Sequence, residues 1–274
     1  MKPQTKTFLG IHFWNRNTTE LLATADKHGG LFTVPSAPSL AEIRTDEFLK
    51  VAYQSSDFAV VDGGYIALIL RIFLRKQLPR ISGLQILQRL IGVEKDRAIP
   101  FHERRILFVV PSVAETLRIQ LYLATQGFSL HQLSFYEAPF YREDEDYQDS
   151  NLAEKMKSTL PDWVVMCIGG GKQEKLGYYV RSLSGSLGPE GARKNGPVIL
   201  CTGGAISFFT GSQAKIPTWA DRMYLGWLFR ICESPGVFLP RYWKATFEFP
   251  RLLWQQREKL FHEEEPRSTK SGAV

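Results

Sequence analysis

Cysteine is scarce: Cys167, Cys201 and Cys232 stand far apart among 274 residues, with no Cys-x-x-Cys pair. That argues against a disulfide framework and for a reducing compartment. Five histidines (His12, His28, His102, His131, His262) show neither His-x-x-x-His nor His-Glu-x-x-His spacing, so a metal site has little support. Long hydrophobic runs are missing too. The most apolar early run, YIALILRIF at 65–73, is too short to cross a bilayer and carries Arg71. The opening stretch MKPQTKTFLGIHFW lacks the apolar core of a secretory signal. A cytosolic chain, soluble or peripheral to a membrane, is expected. Gly-x-x-x-x-Gly-Lys-Ser/Thr is absent, as is a Gly-x-Gly-x-x-Gly with an acidic residue about 20 positions on; this disfavours P-loop kinases and dinucleotide enzymes. No Gly-x-Ser-x-Gly elbow appears, no cysteine lies in a known nucleophile context, and there is no internal repeat.

What is present is ordinary globular material, 44% apolar and 23% charged. The length fits one large domain or two small ones and is ample for a sizeable core. Unbroken β-branched runs at 32–34, 58–61, 105–110, 163–168 and 197–201 read as buried strands, bounded by Gly, Pro or Asp. Helical patterns lie between them. Asn17-x-x-Glu20 resembles a capping box with Gly29 and Gly30 at the far end, Ser112 is placed to cap a helix through Leu123, and 172–183 gives another. Alternating strands and helices predict an α/β domain built on a parallel sheet. The acidic stretch REDEDYQDSN at 142–151 reads as a solvated surface loop or a mobile active-site loop, and the tail 262–274 as disordered.

A formal charge of +6 fits plain solubility or an anionic partner. Composition shifts after about residue 218. Trp219, Trp227, Trp243 and Trp254 fall there, and seven Lys/Arg against four Asp/Glu occupy 219–261. Interleaved rings and cations suit a membrane interface, a helical subdomain packed on the core, or stacking on single-stranded nucleic acid. The last is weakest, because the basic residues are not densely clustered.

Three strands run into glycine-bearing turns: Asp62-Gly63-Gly64, Gly169-Gly170-Gly171-Lys172-Gln173-Glu174 and Thr202-Gly203-Gly204. In an open α/β sheet, ligands bind beyond the carboxyl ends of the strands. Glycine lets backbone N–H groups approach a phosphate there, although such turns also serve simply to reverse the chain. Asp62, at a strand end, is placed for a general base or a helix cap.

Four blocks together resemble the WecG/TagA/CpsF family of glycosyltransferases: SSDFAVVDGGYIALILR (55–71), PRISGLQIL (79–87), IGGGKQE (168–174) and the long run GGAISFFTGSQAKIPTWADRMYLGWLFRICESPGVFLPRYW (203–243). The resemblance spans about residues 8 to 250. It implies a Rossmann-like parallel sheet flanked by helices (1–218), with a C-terminal helical, membrane-associating appendage (219–261). The implied reaction is inverting transfer of an N-acetylhexosamine-type sugar, or its uronic acid. The donor would be a UDP-sugar and the acceptor a polyprenyl-diphosphate-linked saccharide at the inner face of a bacterial membrane, in cell-surface or exopolysaccharide synthesis.

By that resemblance Asp62 aligns with the family's proposed base, and Arg230 and Arg241 are candidates to stabilise the leaving diphosphate without a metal. Ser36, Gly63, Arg80, Gly169, Lys172, Gln173, Glu174, Gly203 and Gly204 would form the substrate site. Self-association is allowed; nucleic acid is not expected. The chain departs from the family pattern at Val34-Pro35-Ser36 (often Thr-x-Asn), Gln85 (usually acidic), Gly171 (Pro), Gly226 (Glu) and Lys215-Ile216-Pro217 (Arg-Ala-Pro). These departures point to altered specificity, or to a nucleotide-sugar-binding scaffold that has lost turnover.

Overall fold

The computed structural model describes residues 5–74, 78–92, 99–142, 147–183, 195–211 and 226–255. Within them, one sheet contains β1 (Thr5–Phe8), β2 (Ile11–Trp14), β3 (Gly30–Thr33), β4 (Phe58–Ala59), β5 (Ile106–Val110), β6 (Leu133–Glu137), β7 (Trp163–Met166) and β8 (Val198–Cys201). The strand order is β1-β2-β4-β3-β8-β7-β5-β6, and every neighbouring pair except β1–β2 is parallel. The helices are α1 (Thr18–His28), α2 (Ala37–Glu42), α3 (Glu47–Gln54), α4 (Gly64–Leu74), α5 (Gly83–Ile91), α6 (Val113–Thr125), α7 (Ser150–Thr159), α8 (Lys172–Leu183), α9 (Ser207–Thr210), α10 (Gly226–Glu233) and α11 (Pro235–Gln255). The α/β expectation holds.

Both faces of the sheet are covered, which is why its central strands read as unbroken apolar runs. Alternate side chains serve opposite cores. Phe32, Phe108, Val110, Val165 and Leu200 pack with α1, α5 and α6. Leu31, Leu107, Val109, Val164 and Ile199 pack with α7 and α8 on the other face. Each fully buried side chain of this kind contributes about 1.5–3 kcal/mol. On the same face as α8, α2, α3 and α4 cover β1, β2 and β4.

Local signals set the helix ends. The Asn17 carboxamide accepts the Glu20 N–H at 2.8 Å, and Gly29 closes α1 at φ 69°. Ser112 accepts the Glu115 N–H and opens α6. The β1–β2 hairpin was not legible beforehand. It turns on Leu9-Gly10, both at positive φ (55° and 75°), the geometry of a type I′ turn. A Cβ at Gly10 would lie 2.6 Å from Gln54 Nε2, which bonds the Leu9 carbonyl at 3.0 Å. Nor was β6 read from sequence, because it is the partly exposed edge strand.

The solvated-loop reading of 142–151 needs correction at its far end; 143–146 lie outside the described residues. Tyr147 and Asp149 are buried. Asp149 caps α7 through the Leu152 N–H at 3.0 Å and accepts the hydroxyls of Tyr136 (2.7 Å) and Tyr141 (2.5 Å). That load of donors draws the carboxylate inside.

The C-terminal segment is helical and packs on the core. Ala245, Phe249, Leu252 and Leu253 of α11 are buried, with Phe249 edge-on to Phe8 at 6.5 Å between ring centroids. Arg44 pairs with Glu248 at 3.0 Å. The opposite face of α11 leaves Leu239, Trp243, Phe247 and Trp254 exposed. The expected boundary at 218/219 and the tail 262–274 lie outside the described residues. Among the described residues no helix is long and apolar enough to cross a membrane.

Candidate active site

At the carboxyl ends of β3, β4, β7 and β8 lies a cleft of about 270 Å³. Each strand delivers one turn to it. β3 supplies Val34 and Ser36–Ser39, β4 supplies Asp62–Tyr65, β7 supplies Gly169, Gly170, Gln173 and Glu174, and β8 supplies Thr202–Ala205. The start of α5 adds Arg80, Ser82 and Gly83. The fourth side is closed by Gly226 and Trp227 of α10 with Phe238, Arg241 and Tyr242 of α11.

Gln173 and Glu174 tie two of these turns together. Gln173 Oε1 accepts the Gly203 N–H at 2.7 Å, and Gln173 Nε2 donates to Glu174 Oε1 at 2.9 Å. Glu174 Oε2 accepts the Gly171 N–H at 2.7 Å. Both side chains are almost fully buried. The Gln173 oxygen thus ties the β7 turn to the β8 turn, while the residue remains in the cleft lining. Burial pushes the Glu174 carboxyl above the ordinary carboxylate range, against the hydrogen bonds from Gln173 and Gly171, which pull it down. Buried Tyr53, whose hydroxyl is raised by burial and then by Glu174, lies against it. Gly171 sits at φ 86°, a conformation proline cannot adopt, so the family's proline gives way here to a different turn.

Asp62 is fixed by its backbone. Its N–H donates to the Pro35 carbonyl at 3.2 Å, which draws the β4 turn towards Ser36. The bridge between Val61 and Arg80, with the Ile81 N–H on the Val61 carbonyl at 3.2 Å, sets Arg80 beside Asp62. Ser36 caps α2 jointly with Ser39; the two hydroxyls lie 3.1 Å apart. Arg241 reaches in from α11. Its Nη2 lies 3.9 Å from Glu42 Oε1 and would be 3.8 Å from a Cβ on Gly170. Such a long, half-exposed pairing contributes little and leaves the guanidinium ready for a stronger anion.

The structure thus brings Asp62, Ser36, Gly63, Arg80, Gly169, Gln173, Glu174, Gly203, Gly204 and Arg241 to one cleft. It does not bring Lys172 there. The Lys172 amine donates to the Tyr141 carbonyl and stands 4.1 Å from the Phe140 ring centroid. Arg230 belongs to α10, and its side chain lies outside the described residues. Among the departures, Val34 and Gly226 do line the cleft. Gln85 instead completes a capping box, accepting the Ser82 N–H at 3.0 Å, so its bearing is on α5 rather than on a ligand. Lys215, Ile216 and Pro217 lie outside the described residues.

Sequence reasoning missed an aromatic wall. Tyr65, Trp227 and Tyr242 pack mutually, with ring centroids 5.8–6.2 Å apart, and join the C-terminal helices to the turn after Asp62. Only the position of Tyr65 just after Asp62-Gly63-Gly64 hinted at it. Thr202 was read only as part of its turn; its hydroxyl is buried without a hydrogen-bond partner. Among the described residues no three His, Cys, Asp or Glu side chains gather where a metal could sit.

A carboxylate and two arginines among glycine turns, at the carboxyl edge of a parallel sheet, define an α/β protein with a cleft suited to anionic, hydroxyl-bearing ligands. The sequence model of the WecG/TagA/CpsF glycosyl transferase family matches residues 6–263, and the chain belongs to that family: it is a glycosyltransferase. It is similar to the N-acetylglucosaminyldiphosphoundecaprenol N-acetyl-beta-D-mannosaminyltransferase of Bacillus subtilis (strain 168), 23% identical over 272 residues, covering 94% of this chain and 95% of that one. The enzyme of the same name from Bacillus spizizenii (strain ATCC 23059 / NRRL B-14472 / W23) is 20% identical over 235 residues, covering 82% of each chain.

Proposed function

We propose that the protein transfers an N-acetylhexosamine-type sugar, with inversion, from a UDP-sugar to a polyprenyl-diphosphate-linked saccharide at a membrane surface. The observation that carries this reading is that Asp62 and Arg241 line the same cleft, one from the core and one from the C-terminal helix. Asp62 takes the proton of the acceptor hydroxyl. The hydroxyl oxygen then bonds to the anomeric carbon as the bond to the UDP oxygen breaks. Negative charge develops on the leaving diphosphate and is met by Arg80, by Arg241 released from Glu42, and by backbone N–H groups of the glycine turns. The mechanism requires no metal ion.

The helix that closes the cleft also offers a membrane face. Arg241 and Tyr242 line the cleft, whereas Trp243 and Phe247, ring against ring at 5.4 Å, point outward with Lys244 and Arg251 also exposed. Exposed rings suit headgroup depth and cations suit anionic lipid, so a polyprenyl-linked acceptor would enter where the helix meets the bilayer. The names of the two Bacillus relatives, with a diphosphoundecaprenol-linked acceptor, support the same reading.

Asp62→Asn tests it. Transfer from UDP-sugar to lipid acceptor should fall by about 10²–10⁴-fold while UDP binding persists. Undiminished transfer by the variant would refute Asp62 as the base. UDP binding without transfer by the wild type would favour a nucleotide-sugar-binding scaffold.

A further inference from the structure

The aromatic wall has no part in the transfer steps described above. Tyr65, Trp227 and Tyr242 all line the cleft and are half-buried, so the rings are neither core nor free surface. Tyr65 stands edge-on to the other two, at interplanar angles of 66° and 81°, whereas Trp227 and Tyr242 are tilted by 41°. The cluster is anchored on two sides. Tyr65 lies in the first turn of α4, three residues after Asp62, and Tyr242 follows Arg241 on α11.

Successive residues of a helix face different directions, and Arg241 and Tyr242 serve different ends of the cleft. Arg241 reaches the β7 turn, where its Nη2 would be 3.8 Å from a Cβ on Gly170. Tyr242 meets Tyr65 beside the β4 turn. Two strands, β3 and β8, lie between β4 and β7, which sets those ends about 14 Å apart at ~4.8 Å per strand. A guanidinium marks one end; Asp62 and three rings mark the other.

Inversion puts the incoming hydroxyl and the departing diphosphate on opposite sides of the anomeric carbon. With Asp62 on the hydroxyl, the rings beside it face the acceptor rather than the donor. A pyranose with equatorial substituents has a bare C–H face and a rim of hydroxyls, and rings next to a carboxylate match both. An isoprenoid tail matches neither. Seated there it would strip water from Asp62 and Arg241 without replacing their hydrogen bonds.

We infer that Tyr65, Trp227 and Tyr242 form a stacking subsite for the acceptor's terminal sugar, a pyranose held with its attacked hydroxyl at Asp62. This deepens the transfer reading above and rests on it.

The test is calorimetric titration of full-length protein with three probes: farnesyl diphosphate carrying one N-acetylglucosamine, farnesyl diphosphate itself, and UDP. The wild type should bind the sugar-bearing lipid more tightly than the bare one. Trp227→Leu should weaken binding of the sugar-bearing probe by roughly 2- to 12-fold, the range for one aromatic contact, and leave the other two probes unchanged. Trp227→Phe, which keeps a ring, should retain most of the affinity. Tyr242→Leu, on a separate helix, repeats the test if Trp227→Leu lowers the melting temperature. A wild type without preference for the sugar-bearing lipid refutes the subsite, as does a preference undiminished in both leucine variants; the transfer reading survives either result. Equal losses for all three probes also refute it, because the wall is then a strut for the C-terminal helices. If the wild type transfers no sugar from any UDP-sugar to the sugar-bearing lipid, the transfer reading falls and takes the subsite with it.

Discussion

Replacing Gln173 measures how far one amide side chain holds the active-site turns. In Gln173→Ala the Gly203 N–H loses its acceptor in a buried setting, and Glu174 loses a donor. A buried polar group left unsatisfied costs about 1–3 kcal/mol. At ~2–4 °C of melting temperature per kcal/mol for a domain of this size, thermal unfolding followed by circular dichroism should show a clear drop. UDP affinity should fall as well, because the Gly203–Gly204 turn lines the cleft. Gln173→Glu sharpens the argument. It sets a second carboxyl where the amide nitrogen lay 2.9 Å from Glu174 Oε1. Two unit charges ~4 Å apart at an effective dielectric near 20 repel by about 4 kcal/mol, so the pair holds on to a proton and its folded-state titration is raised. A group raised on folding contributes its full stability below the unfolded carboxylate value of ~4.3 and loses it as pH rises through the folded value. Gln173→Glu should therefore approach wild-type stability in acid and fall below Gln173→Ala at neutral pH. Melting curves for Gln173→Ala indistinguishable from wild type, or a Gln173→Glu profile without pH dependence relative to wild type, would refute the reasoning.

Two other substitutions probe packing and membrane contact. A Cβ on Gly177 of α8 would meet Leu31 Cδ1 at 2.9 Å, Cys201 Sγ at 3.1 Å and Ile199 Cγ2 at 3.4 Å. Gly177→Ala should thus lose about 1–2 kcal/mol to overpacking despite the helix propensity of alanine, and a raised melting temperature would contradict it. The double change Trp243→Ser with Phe247→Ser, both on the exposed face of α11, should reduce sedimentation with anionic vesicles while leaving UDP affinity intact. Unaltered sedimentation would remove that face from the membrane reading.

The parallel sheet was legible because its central strands are buried on both faces and so carry unbroken apolar runs. The hairpin and the edge strand were not, because their residues are mixed and their pairing is set by neighbours distant in sequence. The glycine turns and Asp62 announced the site, since they follow strands directly. Gln173 and Lys172 could be read only as substrate-site candidates through the family resemblance, not by what their side chains bond. Their partners, Gly203 for Gln173 and Phe140 with Tyr141 for Lys172, are each about 30 residues away along the chain.

The C-terminal segment makes the same division. Its composition fixed that rings and cations would be plentiful after residue 218, and both the packed and the membrane readings followed from that. Which ring serves which purpose was decided by helix geometry. Phe249 turns into the core, Tyr242 into the cleft and Trp243 outward, because successive residues on α11 face different directions. The sequence by itself determined the α/β class, the family and the residue types at the strand ends. The tertiary structure alone decided which of them converge, since hydrogen bonds such as Gln173 to Gly203 form between separate turns only once the sheet has set β7 beside β8.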